Sequence, residues 1–196
     1  MRGLEQIPWV YDAGLTLFEV TGMGRWRRWL ARAEGRTLDI GCGTGRNLPL
    51  FSSSGNVVGL DPAEDALLRA RRRRPGTPLV RASAEALPFG DACFDTIVSG
   101  LVLCSVPNVP NALHEMKRVI SSGGQLRAME HVRAAPASLT ARMQDTFQPF
   151  WTWLTGGCRP NRDTEAAVIA AGWTIEAEGR RSSGVMRRFV ARVGSG

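Results

Sequence analysis

The chain has 196 residues, 43% hydrophobic and 22% charged, a balance that fits one soluble globular domain and excludes collagen-like, disordered and disulfide-scaffold classes. Its net charge is +7 and is carried almost wholly by arginine, Lys117 being the sole lysine; such a surplus draws anions, whether nucleic acid, acidic lipid headgroups or an anionic substrate. The longest apolar stretch, Thr96 to Val106, falls far short of the ~20 residues of a membrane span, and Glu5 and Asp12 interrupt the place of a signal-peptide core, so a cytoplasmic chain is expected.

Residues 1–35 read as an N-terminal helical extension. Within it Trp26, Trp29 and Leu30 recur at i, i+3 and i+4 while Arg25, Arg27, Arg28 and Arg32 take other faces. Such a helix either caps the sheet with its tryptophans in the core or lies in a membrane interface, where Trp beside Arg is the expected chemistry. Strands are then predicted at Thr37 to Gly41, Asn56 to Asp61, Leu79 to Ala82, Asp95 to Ser99 and Gln125 to Val132. Helical stretches at Ala63 to Arg74 and Val109 to Ile120 suit crossovers between parallel strands. Residues 137–172 read as a helical insertion, in which Phe147 to Leu154 clusters aromatics as an apolar lid or as core packing. Two last strands, Thr174 to Ala177 and Met186 to Val193, are joined by too short a link for a crossover and should form an antiparallel hairpin at the sheet edge. The expectation is an α/β fold with one seven-stranded sheet, mostly parallel, in a single domain over 1–196.

The chemistry centres on Thr37-Leu-Asp-Ile-Gly-Cys-Gly-Thr-Gly-Arg-Asn47, a buried strand followed by glycines on alternate positions. Gly41, Gly43 and Gly45 let the backbone turn tightly and approach a ligand. Asp39 lies inside the strand, and Asp61 closes the next one about twenty residues after the first glycine, where a carboxylate can accept both ribose hydroxyls of an adenosine. The spacing is neither the G-x-G-x-x-G of dinucleotide enzymes nor a P-loop. Cys42, Cys93, Cys104 and Cys158 form no C-x-x-C pair, and the only histidines are His114 and His131, so reduced thiols and no metal site are expected.

The loop, together with Gly59-Leu-Asp61-Pro62, Ser83-Ala-Glu-Ala-Leu-Pro-Phe89, Phe94-Asp-Thr-Ile-Val-Ser99 and Met116-Lys-Arg-Val-Ile-Ser-Ser-Gly-Gly124, resembles the class I S-adenosylmethionine-dependent methyltransferases from about Tyr11 onward. The resemblance implies a Rossmann-like sheet with helices on both faces and S-adenosylmethionine as cofactor, leaving as S-adenosylhomocysteine. It also implies the site residues. Gly41, Cys42, Gly43 and Gly45 would lie under the methionine and ribose, Asp39 would orient that loop or receive the cofactor's amino group, Asp61 and Pro62 would lie at the ribose diol, Ser83, Ala84 and Glu85 beside the adenine with Leu87 near the base, and Ser99 and Gly100 at the methionyl end. The family usually has Asp where Ser83 stands, and Ser is shorter and uncharged. His131, ending its strand on the cofactor edge, is the candidate general base for an acceptor protonated at neutral pH, the alternative being a supporting or surface histidine. Tyr11 resembles the Tyr-Asp of an N-terminal lid and is placed near the cofactor, whereas His114 reads as structural.

The place of the Asn/Asp-Pro-Pro-Tyr/Phe stretch of base methyltransferases reads Ser99-Gly-Leu-Val-Leu-Cys-Ser-Val106, so nucleic acid is not expected as acceptor. Leu101 to Val106, Glu130-His-Val132 and Leu154-Thr-Gly-Gly-Cys158 are similar to membrane-associated thiol S-methyltransferases. Tyr11-Asp12 and the Trp/Arg helix also look like bacterial phospholipid N-methyltransferases, and the basic surface suits peripheral contact with the anionic inner face of a membrane. The phospholipid amine is therefore the first expected acceptor, a thiol the alternative, and a non-catalytic cofactor- or RNA-binding role the third.

Overall fold

The computed structural model describes residues 23–52, 56–155 and 157–194. In chain order the elements are α1 (Gly24–Leu30), β1 (Thr37–Ile40), a 3₁₀ turn (Leu48–Leu50), β2 (Val57–Asp61), α2 (Glu64–Arg73), β3 (Leu79–Arg81), β4 (Phe94–Gly100) and α3 (Val109–Val119). They continue with β5 (Ile120–His131), α4 (Leu139–Thr155), α5 (Thr164–Ala170), β6 (Trp173–Ile175), β7 (Arg181–Ser183) and β8 (Met186–Val193).

The strands join one sheet in the order β3-β2-β1-β4-β5-β8-β6, with β7 pairing β8 off that path. The pairings β1–β2, β1–β4, β2–β3 and β4–β5 are parallel, as the crossover helices require, so the C-terminal ends of β1, β2, β4 and β5 share one edge. β8 runs antiparallel between β5 and β6. The expected hairpin is present, but its second strand enters the sheet and leaves β6 at the rim. The sheet also holds one strand more than expected: Arg181–Ser183 is exposed throughout and carries no apolar alternation by which its sequence could announce it.

Alternating side chains divide the core into two layers. Leu38, Ile40, Ile97, Leu126, Ala128 and Phe189 face α3 and α5, and Val57, Val98 and Met129 face α1, α2 and the 3₁₀ turn. The helices read directly from sequence. In α3, Val109, Ala112, Leu113, Met116 and Val119 are buried at helical spacing, and the Asn108 side chain caps the first turn by accepting from the Asn111 N–H at 3.1 Å. In α2, Glu64 and Asp65 open the helix and Arg71, Arg72 and Arg73 close it, each charge matched to its end of the helix dipole.

The Trp face of α1 packs on the sheet. Leu30 is fully buried, and the Arg127 guanidinium lies 4.3 Å from the Trp29 ring centroid and donates to the Trp29 carbonyl at 2.6 Å. Arg188 covers Trp29 and Trp26 at 4.8 and 5.7 Å. The core use of Trp26, Trp29 and Leu30 therefore holds, and their rings are already engaged by arginines of β5 and β8.

α4 is built the other way round. Its inward face is polar or small, with Ala141, Gln144 and Thr155 buried, and no residue of it enters either apolar layer. Leu139, Met143, Phe147, Phe150, Trp151 and Trp153 face outward, Phe147 being 59% and Trp153 64% exposed. The Phe147 to Leu154 cluster thus departs from the core expectation: its aromatic rings mostly lie open on the surface instead of filling the core.

Candidate functional site

The turn after β1 needs three left-handed residues, and glycines supply them: φ is +58° at Gly41, +55° at Gly43 and +78° at Gly45. A Cβ at Gly41 would stand 2.5 Å from a Val102 methyl, and one at Gly45 would stand 2.8 Å from the Ala70 Cα, so these two carry close packing. At Gly43 a Cβ would meet nothing nearer than 4.0 Å. That face is open, as a backbone that receives a ligand must be. Arg73, at the end of α2, pins the loop by donating to the carbonyl and hydroxyl of Thr44, both at 2.8 Å. Arg74 donates to the Leu48 carbonyl at 2.8 Å.

Two carboxylates frame the loop. Asp61 accepts from the Gly43 N–H at 2.9 Å and the Ala63 N–H at 2.8 Å, which ties the end of β2 to the glycine turn. Burial raises its pKa, and the two N–H donors oppose the rise. Asp39 is fully buried in β1, and burial pushes its carboxyl up to about 7 against the pull of Asn47 and Arg27. Asn47 donates to Asp39 Oδ1 at 3.2 Å and accepts from Arg27 at 2.8 Å, a chain that sequence reading missed although Asn47 ends the glycine motif. Asp39 Oδ2 is buried with no hydrogen-bond partner in the structure. An unmet acceptor beside an open glycine backbone fits the amino group and ribose of S-adenosylmethionine. Cys42 is buried between the two carboxylates, and burial first, then their charge, pushes its thiol up, so it is neutral packing beneath the loop.

On the next strand end, the Ser83 hydroxyl accepts from the Glu85 N–H at 3.2 Å, and Ala84 is buried. Glu85 accepts from the Asn108 N–H, which links this turn to the start of α3. Its far side is fixed by Glu115, which accepts from the Leu87 N–H at 2.8 Å and is held down to about 2 by Arg118. Pro62 lends its carbonyl to Arg81 at 3.3 Å.

At the end of β4 the Ser99 hydroxyl is buried and donates to Glu130 Oε1 at 2.7 Å, so its free proton points at a neighbouring strand. Glu130 also accepts from the N–H groups of Val102 at 3.1 Å and Cys104 at 3.3 Å, and burial pushes its carboxyl up to about 7. It organises the turn after β4, a role the sequence did not show, although Glu130 opens the Glu130-His-Val132 piece. Beyond Gly100, Leu101 holds φ +65°, a conformation side chains seldom adopt, and Val102 fills the space against Gly41.

His131 ends β5 on the same edge, as expected. Its Nδ1 lies 3.8 Å from Cys158 Sγ, and Cys158 Sγ lies 3.7 Å from Cys104 Sγ. The expectation of scattered cysteines with no metal-type cluster is corrected: one donor atom from each of Cys104, His131 and Cys158 falls within 4.8 Å of the others, and both cysteines are buried. The residues lie 27 apart along the chain, so only the fold assembles them. The hydrogen bond between the sulfurs and the neighbouring His131 hold the Cys158 thiol below the ordinary range, and Cys104 is pushed up. His114 lies on α3, and Tyr11 lies outside the described residues.

Residues 38–128 match a family described as a methyltransferase domain. The human thiol S-methyltransferase TMT1B is 31% identical over 144 residues, covering 69% of this chain and 59% of that protein. Phosphatidylethanolamine N-methyltransferase of Cereibacter sphaeroides is 34% identical over 125 residues, covering 58% and 62%. Demethylmenaquinone methyltransferase of Renibacterium salmoninarum is 37% identical over 151 residues, covering 74% and 59%. The chain therefore spans about three fifths of the length of these relatives. Among solved structures, a Thermotoga maritima protein described as a SAM-dependent methyltransferase, possible histamine N-methyltransferase, superposes with a TM-score of 0.72 at 20% identity, covering 97% of this chain and 98% of that one, which shows the shared fold.

Proposed function

The chain carries a class I S-adenosylmethionine-dependent methyltransferase domain, and from that premise we propose that it methylates an acceptor presented at a membrane surface, first of all the amine of a phospholipid such as phosphatidylethanolamine. The observation that carries the membrane setting is the outward apolar face of α4, which hangs from the acceptor edge: its inward Gln144 donates to the Val132 carbonyl at 3.1 Å, directly after β5.

S-adenosylmethionine supplies a methyl carbon already activated on a sulfonium sulfur. The protein's part is placement. Gly41 to Gly45 would lie under the methionine and ribose, Asp39 Oδ2 would receive the amino group, Asp61 would take the ribose diol with its remaining lone pairs, and Ser83 to Glu85 would flank the adenine. Alignment of acceptor, methyl and sulfur in line supplies roughly 7–11 kcal/mol. An ammonium acceptor must first lose a proton, and His131 at the strand edge is the group to take it.

A second reading, methylation of a small or apolar thiol, is favoured by one observation: two cysteines and His131 converge at the acceptor edge, a surrounding suited to sulfur. One experiment separates the two. The purified protein is incubated with methyl-labelled S-adenosylmethionine and vesicles of phosphatidylethanolamine with an anionic lipid, and in parallel with a small alkyl thiol. Label in the lipid is expected; label on the thiol alone replaces the phospholipid reading, and label in neither tube removes both acceptors.

A further inference from the structure

We propose that Cys104, His131 and Cys158 form a zinc-binding site with an exchangeable fourth position. Zinc takes cysteine sulfur at about 2.3 Å in a tetrahedron, whose edge is then about 3.8 Å. The observed separations, 3.7 Å between the two sulfurs and 3.8 Å from Cys158 Sγ to His131 Nδ1, are already those edges. The third separation is no more than 4.8 Å. Little has to move for the three donors to close on one ion.

The surroundings hold each ligand from a different element. The Cys104 carbonyl accepts from the Arg159 N–H at 2.8 Å, the His131 carbonyl from the Thr164 hydroxyl at 3.2 Å, and the Cys158 carbonyl from the Thr152 hydroxyl at 2.9 Å. The Cys158 N–H is held by the Thr155 hydroxyl at 3.2 Å. The polar inward face of α4, unusual for a helix with so many aromatics, is thereby accounted for: it seats the Cys158 turn. Charge agrees as well. Two thiolates and a neutral imidazole around a divalent ion make a neutral unit, which a buried pocket accommodates far better than a lone thiolate. Binding releases to solvent whatever protons the two sulfurs still carry.

Cysteine pairs with one histidine and a fourth place free are the donor set of an open zinc site rather than a closed one. The ligand class for that place is a thiol, which gives up its proton on binding and remains a thiolate. For this occupant the inference rests on the thiol reading above; the three-donor site itself does not, and a His131 that holds zinc is not the base for an ammonium acceptor, so the two uses of His131 exclude one another.

The test uses the whole reduced protein, stripped by a chelator and titrated with Zn²⁺ or, as a spectroscopic stand-in, Co²⁺. One ion per chain is expected, with sulfur-to-cobalt charge-transfer absorption and the strong visible bands of a tetrahedral ion. Cys104→Ala, Cys158→Ala and His131→Ala should each weaken binding by more than about 100-fold, the upper end of what loss of a mere supporting contact costs. Cys93→Ser, away from the cluster, should keep both stoichiometry and spectrum. Calorimetry with S-adenosylhomocysteine checks that each variant is folded. Cobalt binding without the sulfur band, unchanged affinity in both cysteine variants, or closure to a Cys104–Cys158 disulfide with no zinc uptake overturns the site. Adding an alkyl thiol should shift the cobalt bands, and an unshifted spectrum overturns the exchangeable position. Zinc binding by a protein that ignores S-adenosylhomocysteine would strike the methyltransferase reading alone; the reverse pattern would strike the zinc site alone.

Discussion

Asp61 is held in place before any ligand arrives: two backbone N–H groups fix its carboxylate, and each oxygen keeps a lone pair. Asp61→Ala removes both the ribose acceptor and the tie to Gly43. Hydrogen bonds to a charged group are worth about 1.5–3 kcal/mol each, so two lost to the ribose should weaken S-adenosylhomocysteine by at least about 100-fold, read by calorimetry. Asp39 and Glu130 make a different prediction. Burial raises both carboxyls to about 7, so the folded chain holds these protons more tightly than the unfolded one. Their contribution to stability is complete below the unfolded range near 4 and is lost as pH rises through about 7. Melting temperature should therefore fall between about pH 4 and 7, and Asp39→Asn should flatten that fall; an equal slope in the variant would show that Asp39 ionises no later than in the unfolded chain. The glycines, Asp39 and Asp61 were legible because a tight strand-to-loop turn leaves so few residue choices. Asn47 and Glu130 were not, since their role is to satisfy neighbours that only the fold brings near.

Among the elements, α1 takes one of the two roles its sequence offered, packing on the sheet, and it is α4 that presents the open apolar face. Both carry tryptophan and both could bind a membrane. In α1 the rings are stacked under Arg127 and Arg188, whereas in α4 the aromatics mostly face outward over a polar seat. Periodicity finds a stripe but cannot say which way it faces, and an apolar stripe is assumed to face inward; that is why α4 misled. Replacing Phe147, Phe150 and Trp153 together by Gln should leave the melting temperature nearly unchanged, since exposed substitutions shift stability by about 0.5 kcal/mol or less each. The same variant should lose sedimentation onto phosphatidylethanolamine vesicles. A large fall in melting temperature would instead mean that this face is covered in the folded protein.

At the scale of the molecule, the net charge of +7 gives any membrane contact a long-range component that salt screens within about 10 Å at 0.1 M. Sedimentation onto anionic vesicles should weaken as salt rises and level off above zero, the residue being held by the α4 face; complete release at high salt would make the contact purely ionic. The sheet was legible almost to the residue from β1 to β4, because parallel strands buried on both faces are short apolar runs between helices. β5 begins earlier than expected, at Ile120, because Ser121 to Gly124 are polar and partly exposed and so carry no apolar signal. The Cys104–His131–Cys158 cluster was legible only as three separate pieces of a resemblance, Leu101 to Val106, Glu130 to Val132 and Leu154 to Cys158, since no local spacing encodes a meeting of three distant loops.

The position of β8 has a consequence in time. Among the described residues β6 pairs only with β8, yet β6 is translated first. While the ribosome is still adding residues 176–185, β6 has no partner and the flank of β5 that β8 will cover stays bare. The sheet is thus sealed late by a strand that pairs β5 on one side and β6 on the other, and a chain ending before Met186 would leave the β5 edge open to anything able to pair with it.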